Sequence, residues 1–304
     1  MFEVNTQQER DELSEKSVYD KLELGKKVVR QALDKYARPV VAFTGGKDST
    51  LTAYLVKEVC EEEGIDKPPF MFVDHGQHFE EVEDFVQRIG DQWGFEVIRV
   101  RNDDLIDKAE EPGDTVPVSE LNETNRKEVA RLEGDYDEVP WLMNTEAGNH
   151  LLKTVPMLGL IREKGIDAVV VGIRWDEQEA RSTETFFSER KDPDHMRVHP
   201  ILPFRERDVW KAIWLNIVPD TVEGWSGKKV PREPKDLPEG VDLQDLPVAS
   251  PYWEGFRSLG SKVSTKKVSD DPAWTQDLQG TVEREGRAQD KEKLMKQLRK
   301  LGYM

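Results

Sequence analysis

The sequence predicts an α/β protein, a doubly wound parallel sheet with helices on both faces, followed by an irregular C-terminal extension. Two observations carry that expectation. Short apolar runs with little alternation recur at Pro39–Phe43, Phe70–Val73, Phe95–Val100 and Ala168–Val171, as in strands buried on both faces. Stretches of helical periodicity separate them, and strands alternating with helices build parallel sheets. In such sheets a ligand crevice lies beyond the carboxyl ends of the strands.

The elements follow in order. Residues 1–17 are polar and read as a mobile N-terminus. Val18, Leu22, Leu24, Val28, Val29, Ala32 and Leu33 recur at helical spacing and predict an amphipathic helix to Tyr36. Pro39 cannot extend it, and Pro39–Phe43 runs through a glycine pair into a helix over Ser49–Glu63. Phe70–Val73 leads through Asp74–His78 into a helix across Phe79–Trp93, and a helix across Ala147–Lys164 precedes Ala168–Val171. Residues 102–145 are acidic, carry Pro112, Gly113, Pro117 and Pro140, and read as an insertion. Residues 219–251 hold six prolines and read as a long loop or linker. A charged helix is expected around Lys291–Leu301. The α/β domain thus spans 18–218, and the Pro-rich loop with its tail spans 219–304.

The 304 residues include 61 acidic and 44 basic side chains, a formal charge of −17. Nucleic acid and anionic membrane surfaces are not expected partners, since both need an excess of Lys and Arg at the contact. An anionic ligand would need a local basic island in this repulsive field. The acidic surplus suits a salt-rich cytoplasm, where screening relieves self-repulsion. No apolar run approaches the roughly 20 residues that span a bilayer, and MFEVNTQQERDELSEKS lacks the apolar core of a signal peptide. A cytoplasmic protein is expected. The single Cys60 excludes an intramolecular disulfide, a Cys-based zinc cluster and a dithiol redox pair.

The chemistry concentrates in Thr44-Gly45-Gly46-Lys47-Asp48-Ser49-Thr50. A strand, a glycine pair and a helix start aim backbone N–H groups at one point, at the positive end of a helix dipole, which suits phosphate. Lys47 adds a charge; Ser49 and Thr50 add hydroxyls. A Walker A loop needs a glycine where Val41 stands and a hydroxyl where Asp48 stands, so this is a different phosphate loop.

The segment resembles the S-G-G-K-D-S pyrophosphate loop of the ATP pyrophosphatases (the PP-loop superfamily), with Thr44 for the leading Ser. That resemblance implies cleavage of ATP between its α and β phosphates. Phe72-Val73-Asp74-His75-Gly76-Gln77-His78-Phe79 resembles h-x-D-T-G-x-x-F of the sulfate-assimilation branch, with His75 for the usual Thr. Gly172-Ile173-Arg174-Trp175-Asp176-Glu177 with Arg181 resembles its G-x-R-x-D-E-x-x-x-R. His199–Phe204 with Asp208-Val209-Trp210 resembles P-L-x-x-W-x-x-x-D-V-W, and Trp210 and Trp214 are expected in the core.

Reductases of this branch need a nucleophilic cysteine near the C-terminus, and no cysteine follows Cys60. The tail instead resembles the small, catalytic subunit of two-subunit ATP sulfurylase. Arg257-Ser258-Leu259-Gly260 matches its R-T-L-G, although Ser261 stands where that family usually has Cys. Glu283–Arg287 with Asp290, and Gly302-Tyr303, match its closing motif. The resemblance implies AMP transfer from ATP to sulfate. Thr44, Gly45, Gly46, Lys47, Asp48, Ser49, Thr50, Asp74 and Gly172 would lie at the nucleotide. Lys47 would hold the departing pyrophosphate, and Arg174 and Arg181 the sulfate. Asp48 or Asp74 would help hold Mg²⁺; His75 and His78 read as loop beside the nucleotide, because hard Mg²⁺ prefers oxygen. A GTPase large subunit is the implied partner. The alternatives are activation of a tRNA base or another acceptor for sulfur insertion, a reductase-family protein lacking the catalytic cysteine, adenylylation of a flavin mononucleotide, and an idle nucleotide-binding regulator.

Overall fold

A computed structural model describes Val4, residues 6–227, 229–281 and Glu283. Its framework is a sheet that interleaves with helices: α1 (Gln7–Ser14), α2 (Val18–Lys35), β1 (Pro39–Ala42), α3 (Lys47–Glu63), β2 (Phe70–Asp74), α4 (Glu80–Trp93) and β3 (Val97–Arg101). The segment α5 (Asp103–Ile106), β4 (Thr115–Pro117), α6 (Glu123–Val129), β5 (Glu138–Pro140) and α7 (Glu146–Asn149) follows, then α8 (Val155–Lys164), β6 (Ala168–Val171), β7 (Phe187–Arg190), β8 (His195–Val198), α9 (Glu206–Ala212) and α10 (Val218–Thr221). The strand order is β3-β2-β1-β6-β8-β7. All neighbours run parallel except the edge strand β7, antiparallel to β8.

The expected doubly wound sheet is therefore present, with a hairpin on one edge that the sequence did not announce. Alternate residues of one strand pack on opposite faces. Val41, Phe70, Phe72, Ala168 and Val170 face the core shared with α2, α3, α4 and α9. Val40, Met71 and Val169 face Met157, Leu158 and Ile161 of α8. Chain order leaves β1 toward β2 and β3 on one side and resumes with β6 on the other. The loops after β1 and β6 thus meet at a topological switch point.

Residues 102–145 form a small unit with its own core. Leu105, Val116, Val129, Val139 and Trp141 pack together, closed by Leu151 and Leu152, beside the two-stranded sheet of β4 and β5. The polar N-terminus is helical, because Thr6 and Glu9 close a capping box on α1. Residues 219–251 are not a free linker: Val241, Leu246, Val248 and Ala249 are buried in the main core. The Trp274 indole N–H donates to Pro231 O at 2.7 Å. Trp210 and Trp214 lie in the core as expected, and Trp214, Trp253 and Trp274 pack with centroids 4.6–5.9 Å apart.

The expected helix over 147–164 is one helical run with a π-turn at His150–Thr154, where Val155 N–H reaches His150 O. Pro156 follows, and it has no N–H for the ordinary bond to Leu152. The same device recurs at Ile213–Ile217, ahead of Pro219. Cys60 is buried, and burial pushes its thiol up to about 11. Among the described residues no helix is long and apolar enough to cross a membrane. The tail motif after Glu283 and the expected helix at Lys291–Leu301 lie outside the described residues.

Candidate active site

The loop Thr44–Gly46 leaves β1 and starts α3 at the switch point. Gly45 turns at φ +72°, and a Cβ there would lie 2.8 Å from a Val82 methyl. Gly46 occupies the N-cap without a side-chain cap, so the helix N-terminus keeps donors for a ligand. The hydroxyls fix the loop: Ser49 Oγ donates to Gly46 O (2.8 Å) and accepts from Thr44 N (3.2 Å), and Thr50 Oγ1 donates to Gly46 O (3.1 Å). Gly172, at the exit of β6, packs flat on α3; a Cβ would fall 2.6 Å from Asp48 O and 2.7 Å from Thr52 Oγ1. Its glycine is thus required by packing alone.

Beyond the loop lies a cleft whose wall includes Thr44, Lys47, Ser49, Gly172, Arg181 and Tyr252. Met71, Val73, Met157 and Ile173 make its apolar side, and Lys153 and Arg197 add cations. An apolar slot beside a phosphate loop can take a nucleobase.

The basic island is more compensated than expected. Arg174 is fully buried. Its Nε lies 2.7 Å from Asp48 Oδ1, its Nη1 2.7 Å from Asp176 Oδ1, and its Nη2 meets Glu283 Oε2. Burial lowers its proton affinity, but Asp48, Glu283 and Asp176 outweigh that and raise it well above the usual arginine range. Lys47 Nζ bonds the other oxygen of Glu283 and Arg257 O at 3.3 Å. Asp48 Oδ2 is 3.4 Å from it. Its ammonium too is raised, because Asp48 and Glu283 outweigh burial. Lys47 N–H donates to the Tyr252 hydroxyl at 2.9 Å, and burial pushes that phenol up to about 12. Arg257 forms a bidentate pair with Glu206 at 2.7–3.1 Å.

Three of the expected site residues are engaged by other groups of the protein. Arg174, expected at the sulfate, lies at the loop end, sharing Glu283 with Lys47; Arg181, paired with Glu177, is the motif arginine in the cleft wall. Asp48 and Asp74, expected to help hold Mg²⁺, both face cations of the protein. Asp48 serves Arg174. Asp74 accepts from Arg99 Nε (2.9 Å) and Gly76 N (2.8 Å) and sits 3.6 Å from Arg101. Among the described residues no group of three His, Cys, Asp or Glu is placed to hold a metal. Mg²⁺ carried on ATP phosphate oxygens and water needs no such group.

The β2 loop is tied differently. His75 and His78 stack at 3.7 Å. The His78 Nε2–H donates to Val73 O (3.0 Å), and burial holds its ring below the usual histidine range. Gln77 bridges three segments: its Nε2 donates to Trp141 O (2.9 Å), its Oε1 accepts from Ser261 Oγ (2.7 Å), and its C=O accepts from Lys262 N (2.7 Å). Sequence reasoning placed neither Tyr252, Glu206, Lys153 nor Arg197 at the site. Arg257 and Glu283 belong to the tail motifs, and the motifs alone assign them no role.

The model of the phosphoadenosine phosphosulfate reductase domain family matches residues 38–221. The chain belongs to that family. Members of other kinds align over most of it: a sulfate adenylyltransferase subunit 2 of Chromohalobacter salexigens is 24% identical, with 91% of this chain and 93% of the relative covered. One of Shigella dysenteriae is 22% identical over 87% and 89%. Among solved structures, a phosphoadenylyl-sulfate reductase of Candida auris superposes with TM-score 0.51 at 15% identity, covering 87% of this chain and 99% of the other. Yeast FAD synthetase gives 0.53 at 12% identity, covering 94% and 93%. These likenesses establish the fold.

Proposed function

We propose that this chain transfers the adenylyl group of MgATP to sulfate. The observation that carries the reading is the placement of two cationic sites along one cleft. Lys47 and Arg174 stand at the glycine loop, and Arg181 stands in the wall beyond it. The relatives named sulfate adenylyltransferase subunit 2 favour sulfate as acceptor. A sulfate oxygen attacks the α-phosphorus, forming the S–O–P bridge. The bond to the α,β-bridging oxygen breaks, and that oxygen leaves with pyrophosphate. Ionised sulfate has no proton to lose, so catalysis is positioning and charge stabilisation. The Gly45–Ser49 amides and Lys47 take the leaving pyrophosphate, with Arg174 beside Lys47. Arg181 orients sulfate against the repulsion of the triphosphate, through a fork matched to two oxygens.

The phosphosulfate anhydride is high in energy, so the forward reaction runs uphill. The name "subunit 2" borne by the relatives implies a partner subunit in those proteins, and a GTPase partner would supply the drive here. The reverse reaction needs no such drive and gives the test. Adenylyl sulfate plus pyrophosphate should yield ATP with the chain alone. ATP formation from FAD and pyrophosphate, or pyrophosphate release that only RNA stimulates, would overturn sulfate as the acceptor. Nucleotide binding with no turnover in any of these assays would overturn catalysis itself.

A further inference from the structure

The glycine loop is engaged at its positive end by one distant stretch of chain. The Tyr252 hydroxyl accepts the Lys47 N–H, Arg257 O accepts from Lys47 Nζ, and Glu283 bridges Lys47 and Arg174 with one oxygen on each. Two oxygens of one anion, one on an ammonium and one on a guanidinium, is also how a terminal phosphate group would sit there. The charge balance singles out Glu283. Among the described residues, Lys47, Arg174 and Arg257 are three cations, and Asp48, Asp176 and Glu206 already supply three carboxylates. Glu283 is the fourth, and it comes from a turn past Ala273–Thr275, the last helical segment among the described residues. That turn is tethered where Arg257 Nη2 donates to Thr281 O at 3.2 Å.

We propose that Glu283 is an internal competitor for the pyrophosphate end of the nucleotide, a residue that acts through Lys47 and Arg174. The inference rests on the reading that this loop binds phosphates. A phosphate and a carboxylate cannot both stand within hydrogen-bond distance of the same two cations without strong like-charge repulsion. Arrival of the β- and γ-phosphates therefore expels Glu283, and departure of pyrophosphate readmits it. Lys47 and Arg174 are never left buried without a counter-charge, which would be costly. Glu283 thereby weakens pyrophosphate binding and favours product release, a step that limits many enzymes. The very low proton affinity of its carboxyl agrees. Burial opposes ionisation there, yet Arg174 and Lys47 hold the group far below the usual carboxylate range.

The test is calorimetric titration of the full chain with pyrophosphate and, separately, with AMP, which lacks the β- and γ-phosphates. Glu283→Gln keeps the shape and removes the charge. It should tighten pyrophosphate about threefold or more, by removing the fraction of the loop held by the competitor, and leave AMP unchanged. Weaker or equal pyrophosphate binding in the variant would overturn the proposal and make Glu283 a mere support for Lys47. Absence of pyrophosphate binding in both forms would overturn it together with the phosphate-loop reading, a distinguishable result. Hydrogen exchange on the unaltered chain decides independently of any variant. Pyrophosphate should speed exchange at Thr281 and Glu283, and slowing there sinks the idea.

Discussion

At the loop end of the cleft, the C-terminal stretch meets Lys47 and Arg174 through Glu283, a charge against two charges. At the β2 end it meets Gln77 through Ser261 Oγ and the Lys262 amide, neutral donors against neutral acceptors. Both ends are buried, yet they differ in what can replace them. An incoming anion substitutes for a carboxylate on a cation. Nothing in a nucleotide's phosphates substitutes for the amide of Gln77. The charged end is therefore exchangeable, and the neutral end is the fixed attachment from which the stretch can move.

Breaking the charged end should have the largest effect. Arg174→Leu leaves Asp48, Asp176 and Glu283 without their shared cation and should cost about 3–5 kcal/mol of stability, read from the urea midpoint. Lys47→Ala removes the cation at the leaving group and should lower ATP formation from adenylyl sulfate about 10²–10³-fold. A fall below tenfold would mean that the loop is not where charge develops. Gly172→Ala forces a methyl to within 2.6 Å of Asp48 O and should cost about 1–3 kcal/mol. At the neutral end, Gln77→Leu leaves the buried Ser261 Oγ without its acceptor and Trp141 O with only the Gly113 amide, at about 1–3 kcal/mol, a loss that 1 M salt should not alter. A salt-sensitive loss would erase the distinction between the ends.

The smallest effect concerns pH, at the far edge of the sheet. His195 donates from Nδ1 to Pro193 O (2.8 Å) and accepts from Arg197 Nε (3.1 Å); burial first, then Arg197, lowers it to about 4. His199 is lowered to about 4 by burial. Both are neutral when folded, while the unfolded chain takes up protons near pH 6.5. Unfolding then binds protons, so stability should be full above pH 6.5 and fall as pH drops toward 4. His199→Gln should flatten that slope in urea midpoints measured across the window.

The loop end was half legible. Val40 to Thr50 lie together in the chain, and a strand running into Gly-Gly-Lys says phosphate without any tertiary information. Tyr252, 205 residues from Lys47, has no local pattern that marks it. Arg174 was found by motif, but its partners were not. Spacing along a strand exit does not reveal which way a guanidinium turns, and of the carboxylates around it only Asp176 is a chain neighbour, while Asp48 and Glu283 come from two other segments. The strands Phe187–Arg190 and His195–Val198 escaped because Ser188, Glu189 and Arg197 break the apolar run. Residues 219–251 looked like a linker because prolines dominate, although Leu246 and Val248 had to go somewhere and went into the core. The acidic surplus that framed the reading is spent partly here, where carboxylates outnumber the cations they surround.

Gly172 sets a mechanical limit on all of this. With no room for one carbon between the β6 exit and the first turn of α3, the two loops of the switch point cannot be brought any closer. The width of the cleft at that point is set by backbone meeting backbone, and a side chain of any size at position 172 would pry it open.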